Sequence, residues 1–87
     1  MERKVSVYPF SFGTRVFMHR NGVIREAEYR GMRIKDTGIC GNNVDTEHIF
    51  WFGSKLGEEK FKASMPIYNT AEDAAQETNP VQYEMLN

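Results

Sequence analysis

Arg15, Arg20, Arg25, Arg30 and Arg33 fall in one stretch of the 87-residue chain, with Phe17 and His19 set among them. A guanidinium group presents a planar fork of donors that fits phosphate or carboxylate, and an exposed ring can stack on a base. This spacing therefore suits an anionic partner. The charge distribution sharpens the point. Residues 1–35 carry eight Lys/Arg against three Glu, and residues 36–87 carry three Lys against nine Asp/Glu. Such asymmetry has two readings: one face meets an external anion, or the two halves attract each other inside one fold. Against a strong nucleic-acid binder stands a pI of about 6.1 for the whole chain, well below the basic domains that track phosphate backbones.

Other chemistry has less support. Cys40, His19 and His48 are the reactive types present. A cysteine nucleophile needs a nearby base and a depressed pKa, and no motif surrounds Cys40. It reads as an inert loop cysteine, and both histidines read as surface residues. The segment "DTGICGNNVDT", residues 36–46, offers Asp36, Asn42, Asn43 and Asp45 as oxygen ligands. It lacks the alternating spacing and terminal Glu of an EF-hand loop. No Cys/His group has zinc spacing. The expectation is a chain without catalytic, cofactor or metal residues, whose binding surface is Arg15, Phe17, His19, Arg20, Arg25, Arg30 and Arg33.

These residues need a scaffold. "TRVFMHR" and "VIREAEY" flank Asn21-Gly22, the strongest short hairpin signal, because both centres of a type I′ turn need φ > 0. A two-residue loop pairs Arg20 with Val23, Met18 with Arg25, Val16 with Ala27, Phe17 with Glu26 and Arg15 with Glu28. Val16, Met18, Val23, Ala27 and Tyr29 then share an inward face, and Arg20 and Arg25 lie near the tip of that same face. After Tyr29 the apolar phase slips to Met32 and Ile34. Gly31 at the slip predicts a β-bulge that bends the strand and restores the inward set.

The remaining elements are short. "KVSVY" reads as a strand that Pro9 interrupts. The loop 36–46 should hold turns. "EHIFWFG" reads as the most apolar strand, with Ile49 and Trp51 on one face, Phe50 and Phe52 on the other, and Trp51 an expected core anchor. "KFKASMPIY" alternates Phe61, Ala63, Met65 and Ile67 inward against Lys60, Lys62 and Ser64, as an edge strand at Pro66. Thr70 three residues before Asp73 predicts a helix cap, with the helix docking through Ala71, Ala74 and Ala75 and ending before Pro80. Val81, Tyr83 and Met85 alternate as an added strand or a frayed tail.

Three segments resemble the SH3-like barrels, especially the Tudor-like and KOW-like group. "FGTRV", residues 12–16, is similar to the turn that leads into the first barrel strand. "AEYRGMRI", residues 27–34, looks like the long bent second strand. "IYNTAEDAA", residues 67–75, is similar to the ending of small bacterial and phage barrel proteins. The likeness runs from about residue 10 to 76. It implies a mainly β fold, a small five-stranded SH3-like antiparallel barrel with a short C-terminal helix. Such barrels bind peptides, methylated side chains or RNA, so the resemblance does not select one function. A cage for a methylated cation would draw on Tyr8, Phe17, Phe50 and Phe52.

Length predicts one domain over residues 1–87, with its core in about 5–76 and residues 77–87 an extra strand or flexible tail. Hydrophobic residues make up 40% and aromatics 13%, enough to bury a core. A lone cysteine excludes an internal disulfide framework and fits a reducing, cytoplasmic setting. No apolar run approaches the roughly 18 residues of a membrane span, and "MERKVSVYPF" lacks the apolar core of a signal peptide. The sequence reading is thus a non-enzymatic protein-interaction or structural module, monomeric or weakly dimeric, with a protein partner and no membrane. The alternative is a nucleic-acid-binding accessory protein that uses the arginine-rich hairpin 15–33.

Overall fold

The computed structural model describes residues 5–36 and 44–86. The element order is β1 (Val5–Val7), β2 (Arg15–Arg20), β3 (Val23–Asp36), β4 (Val44–Trp51), β5 (Glu58–Phe61), α1 (Ala71–Gln76) and β6 (Glu84–Leu86). Strands β2-β3-β4-β5 form one antiparallel sheet in chain order, and β1 pairs with β6 in a separate ribbon. The domain is mainly β with one short helix.

The hairpin forms in the register that its turn dictates. Asn21 and Gly22 both have positive φ, 51° and 77°. Arg15 lies opposite Glu28, Val16 opposite Ala27, Phe17 opposite Glu26, Met18 opposite Arg25 and Arg20 opposite Val23. Val16, Met18, Ala27 and Tyr29 are buried, but Val23 is 46% exposed. It occupies the core-facing phase at the tip, where no further layer covers it.

The bulge is also present. The β3–β4 register shifts between Tyr29 and Met32, and Gly31 has φ +94°. Beyond it, Met32 pairs with His48 and Ile34 with Thr46, so both do return to the inward phase. Yet Met32 is 39% and Ile34 53% exposed. Strand β2 begins opposite Glu28, so the second half of β3 runs past it as an arm; on that face β1 covers the β4 side, at Thr46 and His48, and leaves Met32 and Ile34 at the margin. Residues 44–46, expected in a turn, belong to β4. Residues 37–43, with Cys40, Asn42 and Asn43, lie outside the described residues.

The expected barrel closure is absent among the described residues. Only a single bridge, Phe17 to Tyr68, joins the C-terminal segment to the free edge of β2. The cause is local. Strand β5 stops at Phe61, and the Met65 N–H donates to the Lys62 carbonyl at 3.0 Å, which closes a turn. Pro66 has no N–H to extend a ladder. The alternation of residues 61–67 survives as burial, not as strand: Phe61, Ala63 and Met65 are half-buried, and Ile67 is buried.

The core comprises Tyr8, Val16, Met18, Ala27, Tyr29, Phe50 and Ile67, with Phe10, Phe52, Phe61, Ala63, Met65 and Val81 packed against it. Thr70 caps α1, its side chain accepting from the Asp73 N–H, and Glu77 ends the helix in the left-handed region. Ala74 alone of the three alanines is buried. The i, i+3, i+4 spacing puts all three on one face, but Ala71 and Ala75 at its margins are exposed. The tail does add a strand: β6 pairs with β1, Val5 opposite Leu86.

Candidate functional site

Face parity sorts the seven hairpin residues into two groups. On the outer face, Arg15, Glu28, Trp51 and Glu58 stand in one row across the four strands. Arg15 reaches diagonally to Glu26 at 2.6 Å, not to Glu28 directly opposite. Glu28 instead accepts from Arg30 Nε at 2.8 Å. The Arg30 guanidinium lies 4.5 Å over the Trp51 ring and 3.9 Å from Glu58. Trp51 is therefore a half-buried outer-face residue and not a core anchor. His48 and Phe50 take the inward phase, and strict alternation sends Trp51 outward. Phe17 exchanges two 2.8 Å backbone hydrogen bonds with Tyr68, so its place is on the seam with the C-terminal segment. His19 Nδ1 faces the Glu77 carboxylate at 3.4 Å.

On the inner face, Arg20 and Arg25 share the phase of Met18. Arg20 forms a two-pronged ion pair with Glu59 on β5. Its guanidinium also lies 5.5 Å from the Phe52 ring and 5.1 Å from the Phe61 ring. Arg20 thus closes the end of the core with Glu59 as its partner. Arg25 is exposed and forms no ion pair with a described residue. The same holds for Arg33, which stands opposite Glu47 on the arm. The predicted basic surface therefore does not assemble as one patch: three of its five arginines are matched by carboxylates.

What the inner face does assemble is a cleft at its open end. A hollow of about 320 Å³ is lined by Arg20, Asn21, Val23, Arg25, Phe52, Leu56 and Glu59. A second, of about 440 Å³, shares Arg25, Phe52 and Leu56 and extends over Gly53, Ser54 and Lys55. Leu56 is 50% exposed. The far wall is stiffened by its own hydrogen bonds: the Gly57 N–H donates to the Gly53 carbonyl at 2.8 Å, and the Phe52 N–H to the Gly57 carbonyl at 2.9 Å. An aliphatic floor with cations at its rim is the usual composition of a recognition site on a rigid scaffold. Leu56 and Lys55 were not among the residues expected from sequence, and Phe52 was named there only for a cation cage. The "GSKLGEE" segment reads from sequence only as a turn until the sheet brings it beside the Asn21-Gly22 tip.

A second cluster lies inside the fold. His48, expected at the surface, is fully buried. Its Nε2 is 2.8 Å from Ser6 Oγ and its Nδ1 2.9 Å from Tyr29 Oη. Either tautomer is satisfied, because each hydroxyl can donate or accept. Burial pushes the His48 pKa down to about 4. Tyr8 packs edge-on against the ring, centroids 4.5 Å apart, and its own pKa is pushed up to about 12 by burial, with smaller contributions from Tyr29 and Tyr83. The Ser6–His48 distance is that of a nucleophile and its base. However, Ser6 is only 5% exposed, and a ring that stays neutral to pH 4 is a weak base. The trio works as a clasp between β1, β3 and β4. Tyr8 and Phe50, two of the four rings of the expected cation cage, are likewise core residues, and the four do not converge on an open site.

Among the described residues no three His, Cys, Asp or Glu side chains gather as a metal site, and no described helix is long and apolar enough to cross a membrane. No family model, curated protein or solved structure matches the chain.

Proposed function

We propose that this domain is a non-enzymatic protein-interaction module, built on the SH3-like plan, that holds its partner in the cleft between the Asn21-Gly22 tip and the Gly53–Gly57 turn. On this plan the Phe17–Tyr68 bridge stands where a full closing ladder would run. One observation carries the reading: exposed Val23 and Leu56, half-buried Phe52 and the cations Arg25 and Lys55 line two adjoining hollows that share Arg25, Phe52 and Leu56. Exposed aliphatic groups clustered around a cation mark a recognition surface better than scattered ones do. The working state is a monomer or weak dimer.

The nucleic-acid alternative loses ground with Arg15, Arg20 and Arg30 paired to carboxylates. Arg25 and Arg33, on the same strand, are what remain for it. Two experiments separate the readings. A partner captured by the wild-type chain should be lost with the Arg25→Glu/Leu56→Asp variant. Binding to single-stranded and duplex oligonucleotides, if real, would fall steeply with salt through counterion release. Salt-sensitive oligonucleotide binding together with unchanged protein capture would reject the proposal.

A further inference from the structure

The geometry points to a definite occupant for this cleft: a short peptide segment in which an aliphatic or aromatic side chain is flanked by carboxylates. The inference rests on the interaction-module reading and goes one step further, to the chemistry of the partner.

The charges in the cleft set the requirement. Arg20 and Glu59 cancel each other. Arg25 and Lys55 remain, both exposed, neither in an ion pair with a described residue. An occupant that covers the floor takes water from these two cations. Desolvating a cation without a partner is costly, whereas a carboxylate in its place forms a charge-assisted hydrogen bond. The floor sets the second requirement. Val23, Leu56 and Phe52 leave apolar surface that only an apolar side chain would cover favourably. The 320 Å³ hollow lies at the low end of ligand sites, about 300–1,000 Å³, so the anchor is small.

A nucleic acid fits less well. Bases stack on open aromatic faces, but the Phe52 ring already carries the Arg20 guanidinium, and the floor is otherwise aliphatic. Two rim cations are also few for a phosphate track.

The test is a titration of the isotope-labelled full chain, followed by amide chemical shifts, with four synthetic heptapeptides on one Gly/Ser scaffold. Their centres read Glu-Leu-Glu, Gln-Leu-Gln, Lys-Leu-Lys and Glu-Gly-Glu. Oligothymidylate is titrated in parallel. The expected result is saturable shifts at residues 20–25 and 52–59 with the Glu-Leu-Glu peptide. Its affinity should fall at least about tenfold, or about 1.4 kcal/mol, on Arg25→Glu, on Lys55→Glu and on replacing the central Leu by Gly. Amide dispersion in each variant confirms that the fold is retained. If the Gln-Leu-Gln peptide binds the same residues equally well, the carboxylate requirement is wrong and the cleft stands. If no peptide moves these amides, or the shifts lie elsewhere, the cleft itself is wrong. Tighter binding of oligothymidylate at these residues would overturn both in favour of a nucleic-acid site.

Discussion

Acid should unfold this domain earlier than its carboxylates alone require, and His48 is the reason. The ring is fully buried between Ser6 and Tyr29, and no described acidic group stands against it. Its pKa falls from 6.5 to about 4 through burial. In the unfolded chain the ring takes its proton near pH 6.5, and in the folded chain only near pH 4. Between these values the unfolded state binds more protons, so stability falls as pH falls. The contribution is whole above pH 6.5, declines from there, and is gone below about pH 4. At about 1.36 kcal/mol per pH unit the loss is about 3 kcal/mol, a large share of the roughly 5–15 kcal/mol that holds a domain together. Urea titrations from pH 7.5 to 4 would read the slope directly, and His48→Gln should flatten it. A flat profile for the wild-type chain between pH 6.5 and 4.5, or a His48 ring that titrates near 6.5 by NMR, would refute the reasoning.

Three further outcomes follow from the packing. Gly31→Val should cost more than about 1 kcal/mol, because φ +94° strains any branched side chain; an unchanged melting temperature would count against the bulge. Trp51→Ala should leave a folded protein that loses only about 1–2 kcal/mol, its ring being half-buried under Arg30, and an unfolded variant by circular dichroism would put Trp51 back in the core. A double-mutant cycle on Arg20→Ala and Glu59→Ala should show coupling of about 1 kcal/mol, reduced by salt because both groups are partly exposed; no coupling would mean that Arg20 is as free as Arg25.

Local chemistry was readable from sequence wherever a short-range rule governs it. Asn21-Gly22 sets the register of six residue pairs, Gly31 sets the bulge, and Thr70 sets the helix start. Long-range chemistry was not. The partner of Arg20 lies 39 positions away at Glu59, and nothing in the alternation of either strand names it. Barrel closure depended on whether Lys62–Pro66 stays extended, and a turn there ends the strand. His48 and Trp51 are a different case. Alternation from His48 to Phe52 puts Ile49 and Trp51 on one face and His48, Phe50 and Phe52 on the other, but it does not say which face turns inward; the size of Trp51 argued for its own face, and the fold buries His48 and Phe50 instead. For the site, Arg25 on the apolar face near the tip was legible. Its neighbours Lys55 and Leu56 were not, and Phe52 was named only for a cage with other rings, because all three reach Arg25 only through the order of strands in the sheet.

The proposal that the cleft is where this chain meets its partner can be tested most directly by placing a photo-crosslinking residue, benzoylphenylalanine, at Leu56 and, as a control, at Ile34 on the exposed arm. Both positions are about half exposed, so bulk accessibility cannot explain a difference. In cells, irradiation should yield a discrete protein adduct from position 56, suppressed by Arg25→Glu, and none from position 34. Adducts from position 34 alone, or nucleic acid as the only species crosslinked at 56, would contradict the account.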